Sequence, residues 1–336
     1  MSTTAYAPEL LDHVDPVPDA HAGWLWDGLL ARGDVALLTS VWKTGKTTLL
    51  AGLLRALDAG EPFLGRATAP GHAVVVSEEA RHHWAARRAA IPCGQRTRLV
   101  SRPFPGRPTA AEWAALVRAA EDDRAKTPID LFVVDPLATF LPGRSDCDPG
   151  ALLDFLHPLR RLAEGGTAVL VLHHPRKEKS EDGSAARGSG VLLGYVDATL
   201  ELGRFGRLAS DANRRRLTVR SRHPSAPESV VYEWVVGTPE FRVVADGADA
   251  RFRENWEEVR RLLAGRPTAA SVRDLLATWP EDRPAPSSQQ LYGWLHRAVR
   301  EGLAEQCGRG TKGDPFRFEL PRKRSRLADL PPLPPL

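Results

Sequence analysis

Residues 35–48, VALLTSVWKTGKTT, decide how this chain is read. The apolar run from Val35 leads into a turn of small and polar residues, and Gly45, Lys46 and Thr47 then open a helical pattern, LLAGLLRAL. A strand, turn and helix in that order leave backbone N–H groups aimed at one spot and add the positive end of the helix, which suits the phosphates of a nucleoside triphosphate. In the pattern G-x-x-x-x-G-K-[ST], the lysine reaches the β- and γ-phosphates and the hydroxyl holds Mg²⁺. Ser40 stands where that pattern has its first glycine. The expected contacts are therefore Ser40, Lys43, Thr44, Gly45, Lys46, Thr47 and Thr48, with ATP and Mg²⁺ as ligands. The competing reading is an ordinary βα turn that contains GKT.

Three more apolar runs have the character of buried parallel strands: HAVVVSEE at 72–79, DLFVVDPLA at 130–138 and AVLVLHHP at 168–175. Helical patterns separate them. Thr109-Ala-Ala-Glu112 is a capping-box signature before WAALVRAA, and Asp148-Pro149 supplies an N-cap and first turn for ALLDFLHPLRRLAE, in which Pro158 predicts a kink or a division. Strands alternating with helices, joined by connections too long for hairpins, predict an α/β fold with a mostly parallel sheet covered on both faces. After residue 198 the strands ATLEL, RRLTVRSR, VVYEWVV and EFRVV follow closely, and they predict antiparallel hairpins extending the same sheet.

From about 251 the pattern changes to three short amphipathic helices and a hairpin with a Gly-rich tip, which predicts a winged helix over 251–320. Residues 1–20 and the basic, proline-rich tail 321–336 read as disordered, leaving 21–248 for the α/β domain. The polar stretch 175–190 has no apolar periodicity, and a polar loop of that length inside a domain is functional or disordered.

Bulk properties bound the function. The chain has 336 residues and a formal net charge of +4. Residues 1–250 carry 30 Lys and Arg against 31 Asp and Glu, whereas 251–336 carry 16 against 11. A basic module behind a neutral core points to a polyanion, with DNA as the expected partner, although a general preference for Arg could inflate the cluster. No apolar run reaches 18 residues and the first 20 lack a signal-peptide pattern, so a cytoplasmic location and no membrane contact are expected. Three widely spaced cysteines, Cys93, Cys147 and Cys307, suit neither a disulfide framework nor a zinc site.

In parallel sheets of this kind ligands bind at the carboxyl ends of strands, so the residues where each run stops carry the chemistry. The first run ends in the lysine loop. Asp135, closing LFVV, has the form of a Walker B carboxylate that holds Mg²⁺, or else it caps the next helix. Glu78 or Glu79 can take the proton of a water attacking the γ-phosphate, and adjacent positions on an extended chain face opposite ways, so one of them serves. Glu78 is preferred. His173 and His174 can donate a hydrogen bond to the γ-phosphate as a sensor, or serve the fold alone. Adjacent imidazoles diverge, which disfavours a metal site.

The ordered set GWLWDGLL-ARGD, the lysine loop, VVVSEE, LFVVDPLA, VLHHPRK and ARGSG resembles the RecA-like ATPases of the RepA type and, more distantly, KaiC and RadA, over about residues 24–225. The resemblance implies a RecA-like fold in which Lys46 and Thr47 bind phosphate and Mg²⁺, Glu78 is the base, Asp135 is the Walker B residue and the His173-His174 pair supplies the sensor. It also implies a ring of subunits with ATP at their interfaces and an arginine finger from the neighbour. Arg187 and Arg222 are the leading candidates for that finger, ahead of Arg220; a trans arginine raises turnover by about 10³-fold or more. The expected activity is ATP hydrolysis by a helicase or replication-initiation ATPase acting on DNA. A regulatory switch that binds DNA without unwinding it and a P-loop small-molecule kinase are the alternatives. In the winged helix, SSQQLYGWLHRAVR would enter a major groove while Arg309, Lys312 and Arg317 touch phosphates, unless the module binds protein instead.

Overall fold

A computed structural model describes residues 23–143, 148–174, 190–205, 212–281, 285–311 and 313–321. The chain divides into two units, 1–247 and 248–336. The first begins with a small antiparallel pair, Trp24–Trp26 (β1) and Leu30–Ala31 (β2), followed by Val35–Thr39 (β3), Lys46–Ala59 (α1), Ala73–Ser77 (β4), Arg81–Ala90 (α2), Thr97–Ser101 (β5) and Ala110–Arg124 (α3). It continues through Leu131–Asp135 (β6), Leu137–Phe140 (α4), Pro149–Glu164 (α5), Ala168–His173 (β7), Gly190–Tyr195 (α6) and four further strands, Ala198–Arg204 (β8), Arg214–Ser221 (β9), Ser229–Trp234 (β10) and Phe241–Asp246 (β11).

Nine strands form one sheet in the order β11-β10-β9-β8-β3-β7-β6-β4-β5. From β8 to β5 every neighbour is parallel, and β9, β10 and β11 are antiparallel additions. This is a RecA-like α/β sheet, mostly parallel and covered by helices. Side-chain alternation along each strand divides the core into two layers. Ala36, Leu38, Val75, Leu131, Val133, Leu170 and Leu172 pack with α1 on one face. Val35, Leu37, Val74, Val76, Phe132, Val134, Val169 and Val171 pack with α3 and α5 on the other. Both faces being covered, the runs are apolar throughout rather than alternating.

Three local features differ from the sequence expectation. β5, TRLVS, was not anticipated as a strand: it closes the parallel edge, its residues are only half-buried, and it lacks the continuous apolar run of a central strand. β8 runs parallel to β3, so antiparallel pairing begins one strand later than expected. The long connection from β7 through α6 permits that crossover, which a hairpin would not. Pro158 leaves α5 undivided. Proline withdraws a donor from the carbonyl four residues earlier, and that residue, Asp154, is exposed to water. The two expected caps are present: Thr109 and Glu112 form the capping box of α3, and Asp148 accepts from the N–H groups of Gly150 and Ala151 at the start of α5.

Gly247–Ala264 (α7) starts at the last residue of the first unit and lies otherwise in the second, which also holds Val272–Ala277 (α8), Ser288–Arg300 (α9) and a hairpin of Glu305–Cys307 (β12) with Arg317–Glu319 (β13). Ser271 with Asp274 and Ser287 with Gln290 form capping boxes for α8 and α9. Phe252, Trp256, Val259, Leu275, Leu291, Leu295 and Phe318 make its own core. Residues 1–22, most of the 175–190 stretch with Arg187, Cys147, Lys312 and the tail from 322 lie outside the described residues.

Candidate functional site: a phosphate cleft at the strand tips

The four strands that end in reactive side chains, β3, β7, β6 and β4, are consecutive in the sheet, so their carboxyl ends line one edge. A cleft of about 250 Å³ lies there, lined by residues Trp42 to Thr48 together with Glu78, Glu79, Arg87, Asp135 and His174. The loop turns through two left-handed residues, Lys43 at φ 59° and Gly45 at φ 106°. Glycine bears that conformation without a Cβ clash. Gly45 is also the N-cap of α1 and offers no side chain to cap it. The N–H groups of Lys43 to Thr48 have no acceptor among the described residues. Helix-start donors left unpaired beside a cleft form an anion site.

Lys46 is buried and held within the loop. Its Nζ lies 3.2 Å from the Ser40 carbonyl, 2.8 Å from Ser40 Oγ and 2.8 Å from His174 Nδ1. Burial lowers its pKa to about 8, with the Asp135 charge opposing the shift. An ammonium can only donate, so Nδ1 of His174 accepts and its proton sits on Nε2. Burial and the Lys46 charge lower the His174 pKa, which keeps the ring neutral. His173 is instead 1% exposed, paired in the sheet opposite Thr39 and absent from the cleft wall. Of the two histidines, His174 is the one at the site.

Asp135 is buried, and its carboxylate lies 3.3 Å from the Thr47 hydroxyl. Burial pushes its pKa up to about 6, aided by the nearby Glu79 and Glu78 and opposed by Arg87 and Lys46. A buried carboxylate held at such a cost beside a hydroxyl is a fit partner for a hard divalent cation, which takes oxygen donors. Among the described residues no three His, Cys, Asp or Glu side chains cluster into a full metal cage. Mg²⁺ is commonly held by one or two protein oxygens completed by phosphate and water.

The two glutamates differ in their partners. Glu79 is clamped by Arg87 through hydrogen bonds of 2.7 and 3.2 Å. Arg87 in turn lies over the Trp84 ring, and Trp84 donates to Ser77 Oγ at the tip of β4. Glu78 is exposed, its backbone N–H bonds the Asp135 carbonyl at 3.0 Å, and its carboxylate accepts only from the Thr139 hydroxyl among the described residues. A carboxylate neutralised by a bidentate guanidinium is a poor base. Glu78 carries no such guanidinium clamp among the described residues.

A family model described as AAA domain matches residues 3–180. The chain belongs to that family. It is an AAA-type P-loop protein, and the family carries nucleotide binding with it. No curated protein matches the chain. Among the described residues no helix is long and apolar enough to cross a membrane.

Two site residues of this AAA domain were not found from the sequence. Arg87 was legible in part, because Trp84 and Arg87 are three apart on α2 and share a face. Arg215 reaches the loop from β9, its Nε 2.8 Å from the Thr44 carbonyl, and no local pattern signals it. Of the finger candidates, Arg187 lies outside the described residues. Arg222 is not brought to its own cleft: it pairs with Asp197 at 3.3 Å and donates to the Gly194 carbonyl at 3.1 Å. Asp197 bonds Val35 at the start of β3, so Arg222 sits a strand length, roughly 13 Å, from the lysine loop. Arg220 is exposed on β9 opposite Thr199.

Proposed function

We propose that the protein is a RepA-type RecA-like ATPase that hydrolyses ATP with Mg²⁺ and works with DNA as a ring of subunits. The observation that carries this reading is the convergence of Lys46, Thr47, Asp135, Glu78 and His174 on one cleft whose loop N–H groups are unpaired among the described residues. The loop N–H groups and Lys46 bind the β- and γ-phosphates, and Thr47 and Asp135 hold Mg²⁺, which neutralises phosphate charge. Glu78 orients a water and takes its proton as the water oxygen bonds to the γ-phosphorus and the bond to the ADP oxygen breaks. The neutral His174 donates through Nε2 to the γ-phosphoryl oxygen. Loss of that oxygen on hydrolysis is then felt at the start of the 175–190 segment.

Ring assembly rests on an arginine of the sheet, and DNA contact on the charge of the second unit. Arg222, at the far end of the sheet from its own lysine loop, meets a γ-phosphate only when it belongs to a neighbouring copy. The second unit carries the positive excess of the chain, and α9 has no carboxylate between Ser288 and Arg300. We read its three helices and hairpin as a winged helix, with α9 toward a major groove and Arg309 and Arg317 toward phosphates.

Steady-state ATPase rates with and without single- and double-stranded DNA, taken with molar mass by light scattering in ATP and Mg²⁺, test the whole reading. Stimulation by single strands, strand displacement and a ring-sized mass are the expected results. Unchanged turnover with sequence-specific duplex binding would replace the motor by a DNA-bound switch. A monomer that phosphorylates a small acceptor would overturn it in favour of a kinase.

A further inference from the structure

Three carbonyls of the lysine loop are held from behind. In a trans peptide the C=O and the following N–H point in opposite directions across one plane, so whatever grips a loop carbonyl also aims the next N–H. The Ser40 carbonyl accepts from Lys46 Nζ at 3.2 Å, and the Val41 carbonyl accepts from the hydroxyls of Ser40 and Thr44, each at 2.8 Å. These grips are local. The third comes from 171 residues away, where Arg215 Nε donates to the Thr44 carbonyl at 2.8 Å.

Arg215 is itself anchored. It lies near the start of β9, paired across the sheet with Arg204 of β8 and Tyr232 of β10, and its second nitrogen donates to the Ala212 and Arg214 carbonyls at 2.7 Å each. The guanidinium is therefore fixed on the antiparallel extension, and burial lowers its pKa from the ordinary arginine value. The peptide that it grips joins Thr44 to Gly45. Gly45 has φ 106°, and glycine populates either hand, so this plane is the one in the loop most free to flip.

We propose that Arg215 is a positioning residue that locks the Thr44–Gly45 peptide with the Gly45 N–H facing the phosphates, so that the antiparallel half of the sheet sets nucleotide affinity. Arg215 touches no reacting atom. The inference rests on the cleft being a nucleotide site, as proposed above, and it adds that the site is preorganised by a strand outside the P-loop unit of sequence. Preorganisation lowers the ordering cost of binding, so its loss falls on affinity before chemistry.

The test measures MgATP and MgADP dissociation constants, KM, kcat and the nucleotide-free thermal midpoint for the full chain, for Arg215→Lys and for Arg215→Met, with Lys46→Ala as control. Arg215→Met keeps the stem packing and removes the donors; a loss of about tenfold for both nucleotides is expected, equal to about 1.4 kcal/mol. KM should rise more than kcat falls. Arg215→Lys keeps the charge but not the fork that anchors it, so an intermediate loss of about threefold separates geometry from electrostatics. A folded Arg215→Met variant with unchanged affinity, or one with only a lowered midpoint, would overturn the inference. If Arg215→Met does not fold, unchanged affinity in Arg215→Lys does so. A wild-type chain without ATP affinity, or a Lys46→Ala chain that binds as tightly as wild type, removes the nucleotide site and the inference together.

Discussion

The two ends of the parallel sheet treat charge in opposite ways. At the amino ends two carboxylates, the buried Asp197 and the half-buried Asp130, are matched. Asp197 accepts from the Val35 N–H at 2.9 Å and from Arg160 at 2.7 Å and forms an ion pair with Arg222 at 3.3 Å, while Asp130 accepts from Arg32 at 2.7 Å and from the His72 N–H at 2.8 Å. Burial works against the Asp130 charge, yet the hydrogen bonds of Arg32 and His72 outweigh it and hold the carboxyl below the ordinary range. Arg160 is likewise held above its usual value, its bond to Asp197 overcoming burial. At the carboxyl ends the balance is reversed. Asp135 is pushed up to about 6, Lys46 down to about 8, and a row of N–H groups lacks acceptors among the described residues. One end is arranged for the stability of the free protein. The other gives up stability and waits for a ligand that supplies what the fold withholds.

The comparison breaks most visibly in activity. Glu78→Gln should lower turnover by about 10²-fold or more while ATP still binds, which rapid-quench and binding measurements would separate. Glu79→Gln should cost far less in chemistry, because Arg87 already neutralises that carboxylate. Equal losses at the two positions would blur the distinction drawn between them.

Stability sharpens it further. Asp197→Asn strands a partly buried Arg160 and weakens the bond to Val35, so chemical denaturation should show a loss of about 3 kcal/mol, with nucleotide affinity retained. Asp135→Asn should act with the opposite sign. Its folded pKa of about 6 lies above the unfolded value of about 4, so stability from this group is complete below about pH 4 and is lost as pH rises through about 6. Without Mg²⁺ the variant should be more stable than wild type at pH 7.5 by about 2 kcal/mol, a gain that fades between pH 6 and 4, and Mg²⁺-dependent hydrolysis should vanish.

The smallest effect is expected at Asp130. Its folded pKa is depressed, so its contribution is present above the unfolded value of about 4 and is lost as acid takes the pH through the folded value. Asp130→Asn should therefore destabilise by about 1 kcal/mol at neutral pH, and the difference should shrink below about pH 4, opposite in trend to Asp135→Asn. Parallel melting curves for the two variants against pH would show whether the ends of the sheet differ as described.

Much of this was legible in the chain. Apolar runs that stop abruptly at Thr39, Glu78, Asp135 and His174 announce buried parallel strands whose polar tips share an edge, and the hydrophobic pattern alone places them. Glu79 and His173 could not be separated from their neighbours, because that choice depends on Arg87 and on the pairing of β7 with β3. The half-buried edge strand β5 has no apolar signature. Arg215 illustrates the general limit: it reaches the site through an antiparallel pairing register, and register is a property of the assembled sheet rather than of any window of sequence. Likewise, Phe241 of β11 packs where a Cβ on Gly52 would come within 2.6 Å of its ring, a close approach of edge strand and α1 that no local reading anticipates.

A crystal structure of the full chain with Mg²⁺ and a non-hydrolysable ATP analogue tests the central claim most directly. The expected result is triphosphate density over the N–H groups of Lys43 to Thr48, with Lys46 Nζ moved from His174 to the phosphates and the cation between Thr47 and Asp135. Density for the nucleotide elsewhere, or a Lys46 still bound to Ser40 and His174 with the analogue at saturation, would contradict the account.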